Sequence, residues 1–479
     1  MVRRLQIEDR WPLLLAPAVP ILTLALAMAG AGGREVVLVG LIGIFVIAAL
    51  CLTAYVDIAW LFSIAIALSI FSGNWRQLGV PNLLSPDRIM LIVAFVTFLV
   101  RDPSIGRRPF VRLTSTHVVL LLATAFALCS AVAAGTIGER PAIYTLVDRF
   151  GIGPFLLFVC APVVFATGHQ RRILLGTLMA VGAYLGLTAF FEGVGPHALV
   201  FPKYILDPSY GFQPGRARGP FAESAVNGVA LYYSAVAAAV AFATMRQRWV
   251  RCGAAAIAAL CAFDLIFTLQ RSVWIGAGVA TLATCLAVPA LRRYVVAVIA
   301  VGAVAVVSAF FLIPGLQSRV DQRVNDQRTT WDRKNLNRAA ENMVEARPLL
   351  GFGWGTFHAR SGPYFEQSPD YPLTNTSGEV HNVFLSNAVE LGLPGTALWL
   401  LALAMAVGGA ILVRGPPELY PWRIGLLAIA VMWLFVSNLI PMVQAFPNEI
   451  LWLWAGVVWP WRYALAESPS PGPAAPLPA

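Results

Sequence analysis

Apolar stretches long enough to cross a bilayer recur along almost the whole chain, and that pattern decides the fold class. Hydrocarbon about 30 Å thick takes roughly 20 helical residues. Runs near that length lie at about 11–31, 36–54, 57–71, 88–100, 116–135, 150–167, 173–192, 224–245, 252–270, 273–290, 294–313, 383–412, 424–441 and 448–465. The expectation is an all-α polytopic membrane protein with about 14 transmembrane helices (12–14), the third and fourth being short. Composition agrees: with 58% hydrophobic and 12% charged residues, too little polar side chain is present to cover a soluble globule. Arg3 and Arg4 precede the first run, Trp11 to Ala31, which is longer than a signal-peptide core and reads as the first span.

The net charge of +10 would suggest a nucleic-acid partner in a soluble chain. Here the arginines punctuate the ends of apolar runs, so they read as orientation signals and no nucleic acid is expected. With a cytoplasmic N-terminus, the inner side receives Arg101, Arg107, Arg108 and Arg112, then Arg171 and Arg172, Arg246, Arg248 and Arg251, Arg292 and Arg293, and Arg414 and Arg423. The same count sends three polar segments to the outer face: 193–223, the hinge at 270–272, and 314–380. All six cysteines fall in predicted spans, so no disulfide framework or cysteine metal site is expected. The chain divides into a first bundle (1–313), an external loop domain (314–380), a second bundle (381–466) and a disordered cytoplasmic tail (467–479).

Within the long loop, Trp331, Leu336, Ala339, Ala340, Met343 and Val344 recur at spacings of three to five. They predict an amphipathic helix lying against the bundle or in the membrane interface, ended by Pro348. Arginines gather on the outer side. Arg216 and Arg218 sit among glycines just before a span, where an arginine either snorkels or helps cradle an anion at a helix N-terminus. Arg271 stands between two apolar runs with almost no loop around it, a position that usually has a partner or a function. Arg328 lies three residues before Trp331, and His381-Asn382 marks the return to the membrane. No HExxH, helically spaced histidine pair or Asp-x-Asp pair occurs outside, so no metal or other cofactor is expected.

In combination, Arg328-x-x-Trp331, Pro348-Leu-Leu-Gly-x-Gly353, His381-Asn382-x-x-Leu385 and Glu390-Leu-Gly-Leu-Pro-Gly395 resemble the signature of the O-antigen ligase and polysaccharide polymerase superfamily. Upstream, Arg218-Gly-Pro-Phe221 and Arg271-Ser272 are similar to further family elements, whereas 222–227 departs from the compact Pro-Asn often found there. The resemblance covers roughly 215–400. It implies a metal-independent membrane glycosyltransferase of GT-C-like build in the inner membrane of a bacterium, and the arginine count puts both termini in the cytoplasm. Its donor would be a glycan on undecaprenyl pyrophosphate at the outer face, and its acceptor another glycan, a lipid or a protein in cell-surface polysaccharide assembly. Arg218, Arg271 and Arg328 would bind the charge that develops on the leaving pyrophosphate. His381 would act as general base or, as imidazolium, bind phosphate. Arg216, Trp331, Asn382 and Glu390 complete the expected substrate-binding set. Ligation and repeat-unit polymerisation both fit this signature. A lipid-linked glycan transporter is the alternative from another class, although transporters tend to place polar sites at mid-membrane between related halves.

Overall fold

The computed structural model describes residues 56–80, 85–100, 114–312, 328–374, 378–413 and 415–459, with a few isolated positions between them. The first two predicted spans and the C-terminal tail lie outside these residues. The described chain is helical throughout, with no strand. In order come α1 (Ile58–Leu68), α2 (Pro86–Val100), α3 (Ser115–Ala134), α4 (Ile152–Val164), α5 (Gly168–Val194), α6 (Ser224–Thr244), α7 (Arg248–Asp264), α8 (Arg271–Ala287) and α9 (Val295–Leu312). After these follow α10 (Arg328–Ala346) in the long loop, then α11 (Val383–Leu403), α12 (Tyr420–Ser437) and α13 (Ala445–Val458). Among the described residues eight helices are long and apolar enough to cross a membrane, while Ile58–Phe71 and α8 are apolar but shorter.

Helix ends follow local chemistry. Thr167 and Gln170 form a reciprocal capping box that starts α5, and Asp57 caps α1 by accepting from the Ala59 N–H at 3.0 Å. α4 is entered through a short helix, Arg140–Tyr144, and a π-helical turn, Thr145–Phe150. A π turn re-aims side chains relative to a regular helix, and this one presents Asp148 and Arg149 to different neighbours: Asp148 meets Arg88 at 2.6 Å, and Arg149 meets Glu390. The core between helices is aromatic, with Trp354, Trp399, Trp422 and Trp454 all less than 2% exposed.

Contacts sort the loops into two ends. At one, Tyr210 and Pro220 bond to Asn74, Thr136 donates to the Trp354 carbonyl at 2.6 Å, and Asn382 reaches Asn438. At the other, Gln170 reaches Asp57, and Arg171 pairs with Glu418 at 2.9 Å. The long loop therefore shares its end of the bundle with 193–223 and with the start of α8.

The amphipathic loop helix is α10, and Leu336, Ala339, Ala340 and Met343 on it have no exposed surface. Leu336, Ala340 and Met343 pack with Val380, Val389, Phe352 and Phe357 in a small core of their own. Of the two placements the apolar stripe allowed, this is the one against the bundle. Burial of four such side chains and their neighbours is ample to hold a helix whose exposed residues are charged.

Candidate active site

The site rests on a main-chain clasp. α11 is broken at Gly392, whose φ of 71° and ψ of 176° no helix contains, and Pro394 follows the break. The turn-rich stretch 348–353 lies against it. The Leu393 N–H donates to the Pro348 carbonyl at 2.7 Å, Phe352 N–H to Val389 at 2.8 Å, and Gly353 N–H to Glu390 at 3.0 Å. Carbonyls freed by the helix break are thus satisfied from outside the helix. Backbones this close exclude side chains: a Cβ on Gly351 would stand 2.5 Å from the Val389 oxygen, and one on Gly392 would stand 2.3 Å from the Leu349 oxygen. Both glycines also have positive φ. The Pro-Leu-Leu-Gly-x-Gly and Glu-Leu-Gly-Leu-Pro-Gly segments are therefore the two halves of one clasp.

Glu390 lies inside it. Its carboxylate pairs with Arg149 at 3.3 Å, both side chains being under 10% exposed, and accepts main-chain hydrogen bonds from Gly355 and Phe357. Arg149 also donates to Ser386 Oγ at 3.1 Å and stacks over the Trp354 ring at 5.0 Å. The structure thus gives Glu390 a fixing role, because a carboxylate with these neighbours has little surface left for a ligand.

Just before α11, the clasp sets His381 at the edge of the loop domain. The ring is half-buried, and its Nδ1 is enclosed without a hydrogen-bond partner among the described residues. Burial first and then the Arg333 guanidinium lower its pKa below the ordinary imidazole value; the Glu379 main chain and the Asp332 carboxylate pull weakly the other way. Arg333 is lowered in turn by burial and by Arg271, which opens α8. Arg271, Arg333 and His381 therefore stand in electrostatic contact although they come from 271, 333 and 381 in the chain. Among the described residues neither arginine forms an ion pair. Arg271 is exposed and Arg333 half-buried, and two neighbouring guanidinium groups without an ion pair repel each other, a repulsion that a bound anion would relieve.

A carboxylate pair borders this cluster. Glu223, at the N-cap of α6, is pushed up to about 7 by burial and by the nearby Glu379. Beside it Gln213 accepts from Arg216 at 2.9 Å and from Ser224 and Gln270, which ties the 193–223 loop to the starts of α6 and α8.

The other expected residues are placed differently. Arg218 is 1% exposed; its guanidinium donates to the carbonyls of Tyr210, Ile205 (2.6 Å) and Asp207 (2.8 Å), which folds the 205–210 loop around it. With its donors on main chain it positions that loop and has no surface to offer a substrate. Arg216 is 7% exposed and belongs to the Gln213 network. Arg328 begins α10, and its side chain lies outside the described positions. Trp331 is half-buried on the first turns of α10. Asn382 caps α11, accepting from the Leu385 N–H at 3.0 Å. Asn382→Ser, which keeps a cap, should leave stability and turnover close to normal, whereas Asn382→Ala should cost about 1 kcal/mol. A serine variant that unfolds normally but loses transfer would return Asn382 to the substrate-binding set.

Arg333 was not singled out from sequence, although a signal exists. Residues 333, 336, 340 and 343 share one side of a helix, so the arginine continues the buried apolar stripe instead of opposing it. Arg149 carried a similar mark, as a charge at the edge of an apolar run.

At its loop-bearing end this helical membrane bundle thus gathers two arginines with no ion pair among the described residues and a half-buried histidine. Residues 254–400 match the family model described as O-antigen ligase. The match takes in Arg271, Arg333, His381 and both halves of the clasp. No curated protein matches the chain.

Proposed function

We propose that this protein is a membrane glycosyltransferase that moves a glycan from a polyprenyl-pyrophosphate carrier to an acceptor hydroxyl, in the manner of a ligase. The observation that supports it best is the uncompensated Arg271 and Arg333 pair beside His381. In the reaction the acceptor oxygen bonds to the anomeric carbon as that carbon's bond to the phosphate oxygen breaks. The electron pair leaves with the pyrophosphate, whose growing charge Arg271 and Arg333 neutralise, with Arg328 at the start of the same helix as Arg333. The acceptor proton passes to His381. A lowered pKa keeps that imidazole neutral at pH 7, which favours the base role over the phosphate-binding one. Arg218, Asn382 and Glu390 act indirectly, by fixing the loops that present these groups. The site lies at the outer face of a bacterial inner membrane, with both termini in the cytoplasm.

Purified protein given a lipid-pyrophosphate-linked glycan and an acceptor should release free carrier pyrophosphate and glycosylate the acceptor. The rate should survive a strong chelator, since guanidinium groups do the work of charge neutralisation. A ladder of repeats growing on the carrier would make the protein a polymerase of the same superfamily. Movement of the intact lipid-linked glycan between leaflets with no bond broken would make it a transporter.

A further inference from the structure

Most bulky apolar side chains on the outside of this molecule lie along its helices, but three sit on the clasp. Leu349 and Leu350 are 69% and 74% exposed, and Leu393 is 52% exposed. Pro348 and Pro394 beside them are exposed as well. Large apolar side chains gathered on a surface mark contact with something apolar. Main-chain bonding holds these together: the Leu393 N–H donates to the Pro348 carbonyl at 2.7 Å, and the Leu349 oxygen crowds Gly392. The three leucines therefore share one corner of the clasp.

Two helices measure where that corner lies. α3 has 20 residues, roughly 30 Å at 1.5 Å each, which is the thickness of bilayer hydrocarbon. Its last residue, Ala134, touches the clasp, since a Cβ on Gly353 would stand 2.5 Å from the Ala134 Cβ. The span that contains α11 runs on to Leu412, and from Leu393 to that end is again roughly 30 Å of helix. Both rulers put the clasp at the hydrocarbon limit of the loop-bearing end.

Exposure along α11 agrees. Below the break Leu393, Ala397, Leu400 and Ala404 are exposed at helical spacing, a stripe that faces lipid. Leu349 and Leu350 carry that stripe onto the loop. Arg347, exposed and stacked over the Phe352 ring at 4.9 Å, comes directly before Pro348. An arginine just outside an apolar patch lays its stem on hydrocarbon and its charge among lipid phosphates. A partner protein fits less well, because three leucines supply well under the roughly 800 Å² that each side of a stable interface buries.

We propose that the clasp is also a membrane anchor: Leu349, Leu350 and Leu393 are immersed in the acyl chains of the leaflet at the loop-bearing end, with Arg347 at the phosphates. The loop domain is thus moored to lipid by a turn and not by its amphipathic helix, whose apolar side is consumed against the bundle. Nothing in this anchor depends on the reaction catalysed, so lipid contact itself is the readout.

The full chain carrying Cys51→Ala, Cys129→Ala and Cys252→Ala keeps only buried cysteines. Leu349→Cys, Leu350→Cys or Asp370→Cys is added, labelled with nitrobenzoxadiazole, and placed in phosphatidylcholine nanodiscs; the parent gives the blank. Some of the lipid carries a nitroxide, either near the headgroup or near the end of the acyl chain. Dye at 349 and 350 should emit at the short wavelengths of an apolar setting. The shallow nitroxide should dim it at least about twofold and the deep one less, as expected for immersion of about 5–10 Å. Dye at Asp370, exposed between the clasp halves, should show neither effect. Long-wavelength emission at both leucines would put the corner in water and overturn the anchor. Short-wavelength emission without quenching would mean that protein, a second copy included, covers the patch, and would overturn it equally.

Discussion

His381→Ala should fold, insert and bind the lipid-linked donor, yet transfer glycan about 10²- to 10⁴-fold more slowly, the usual worth of a positioned general base. The same residue should set the acid limb of the wild-type pH profile. A base works when neutral, so activity is present above its pKa and is lost as pH falls through it. Burial and Arg333 hold that pKa below the ordinary imidazole value, so the limb should have its midpoint below about 6.5. Arg333→Ala removes one of the charges that lower it and should move the limb to higher pH as well as slow transfer. Near-normal turnover in His381→Ala at normal expression would make the histidine structural. An acid limb that ignores Arg333→Ala would separate the two residues.

Arg149→Met should be among the most destabilising single changes in the protein. It leaves the Glu390 carboxylate inside the clasp, under 10% exposed, with no cation. Removing one partner of a buried ion pair costs about 3–5 kcal/mol, much of it the burden of the charge left behind. Arg149→Met combined with Glu390→Gln should recover most of that loss, because the amide keeps an acceptor for the Gly355 and Phe357 main chain without carrying charge. Unfolding followed in detergent reads both variants. Equal destabilisation by the single and double changes would mean that packing of Arg149 on Trp354, and not charge, holds the clasp.

The apolar spans were legible because hydropathy is a property of contiguous segments, and eight helices among the described residues are long and apolar enough to cross a membrane. α8 was expected at 273–290 and runs Arg271–Ala287, which puts Arg271 on the helix itself. The motifs were visible as strings, but their roles were not. Nothing in Glu390 or Asn382 announces that one meets an arginine 241 residues away and the other a backbone N–H three residues on. Arg218 and Arg271 look alike in sequence, each an arginine at a span boundary. They part only when the fold wraps carbonyls around the first and leaves the second facing Arg333. Such differences arise from long-range packing, to which local patterns are blind.

The main-chain clasp has a consequence for chimeras. Its halves, 348–353 and 389–393, are joined backbone to backbone across some forty residues of sequence, and each supplies glycines shaped to the other. A transplant of the loop domain between relatives has to carry both halves or neither, with the junctions placed outside them. The stretch between, around 358–378, touches α10 mainly through side chains such as Asn335 and Asn342. That interval is where sequence can be exchanged while the clasp keeps His381 in place at the start of α11.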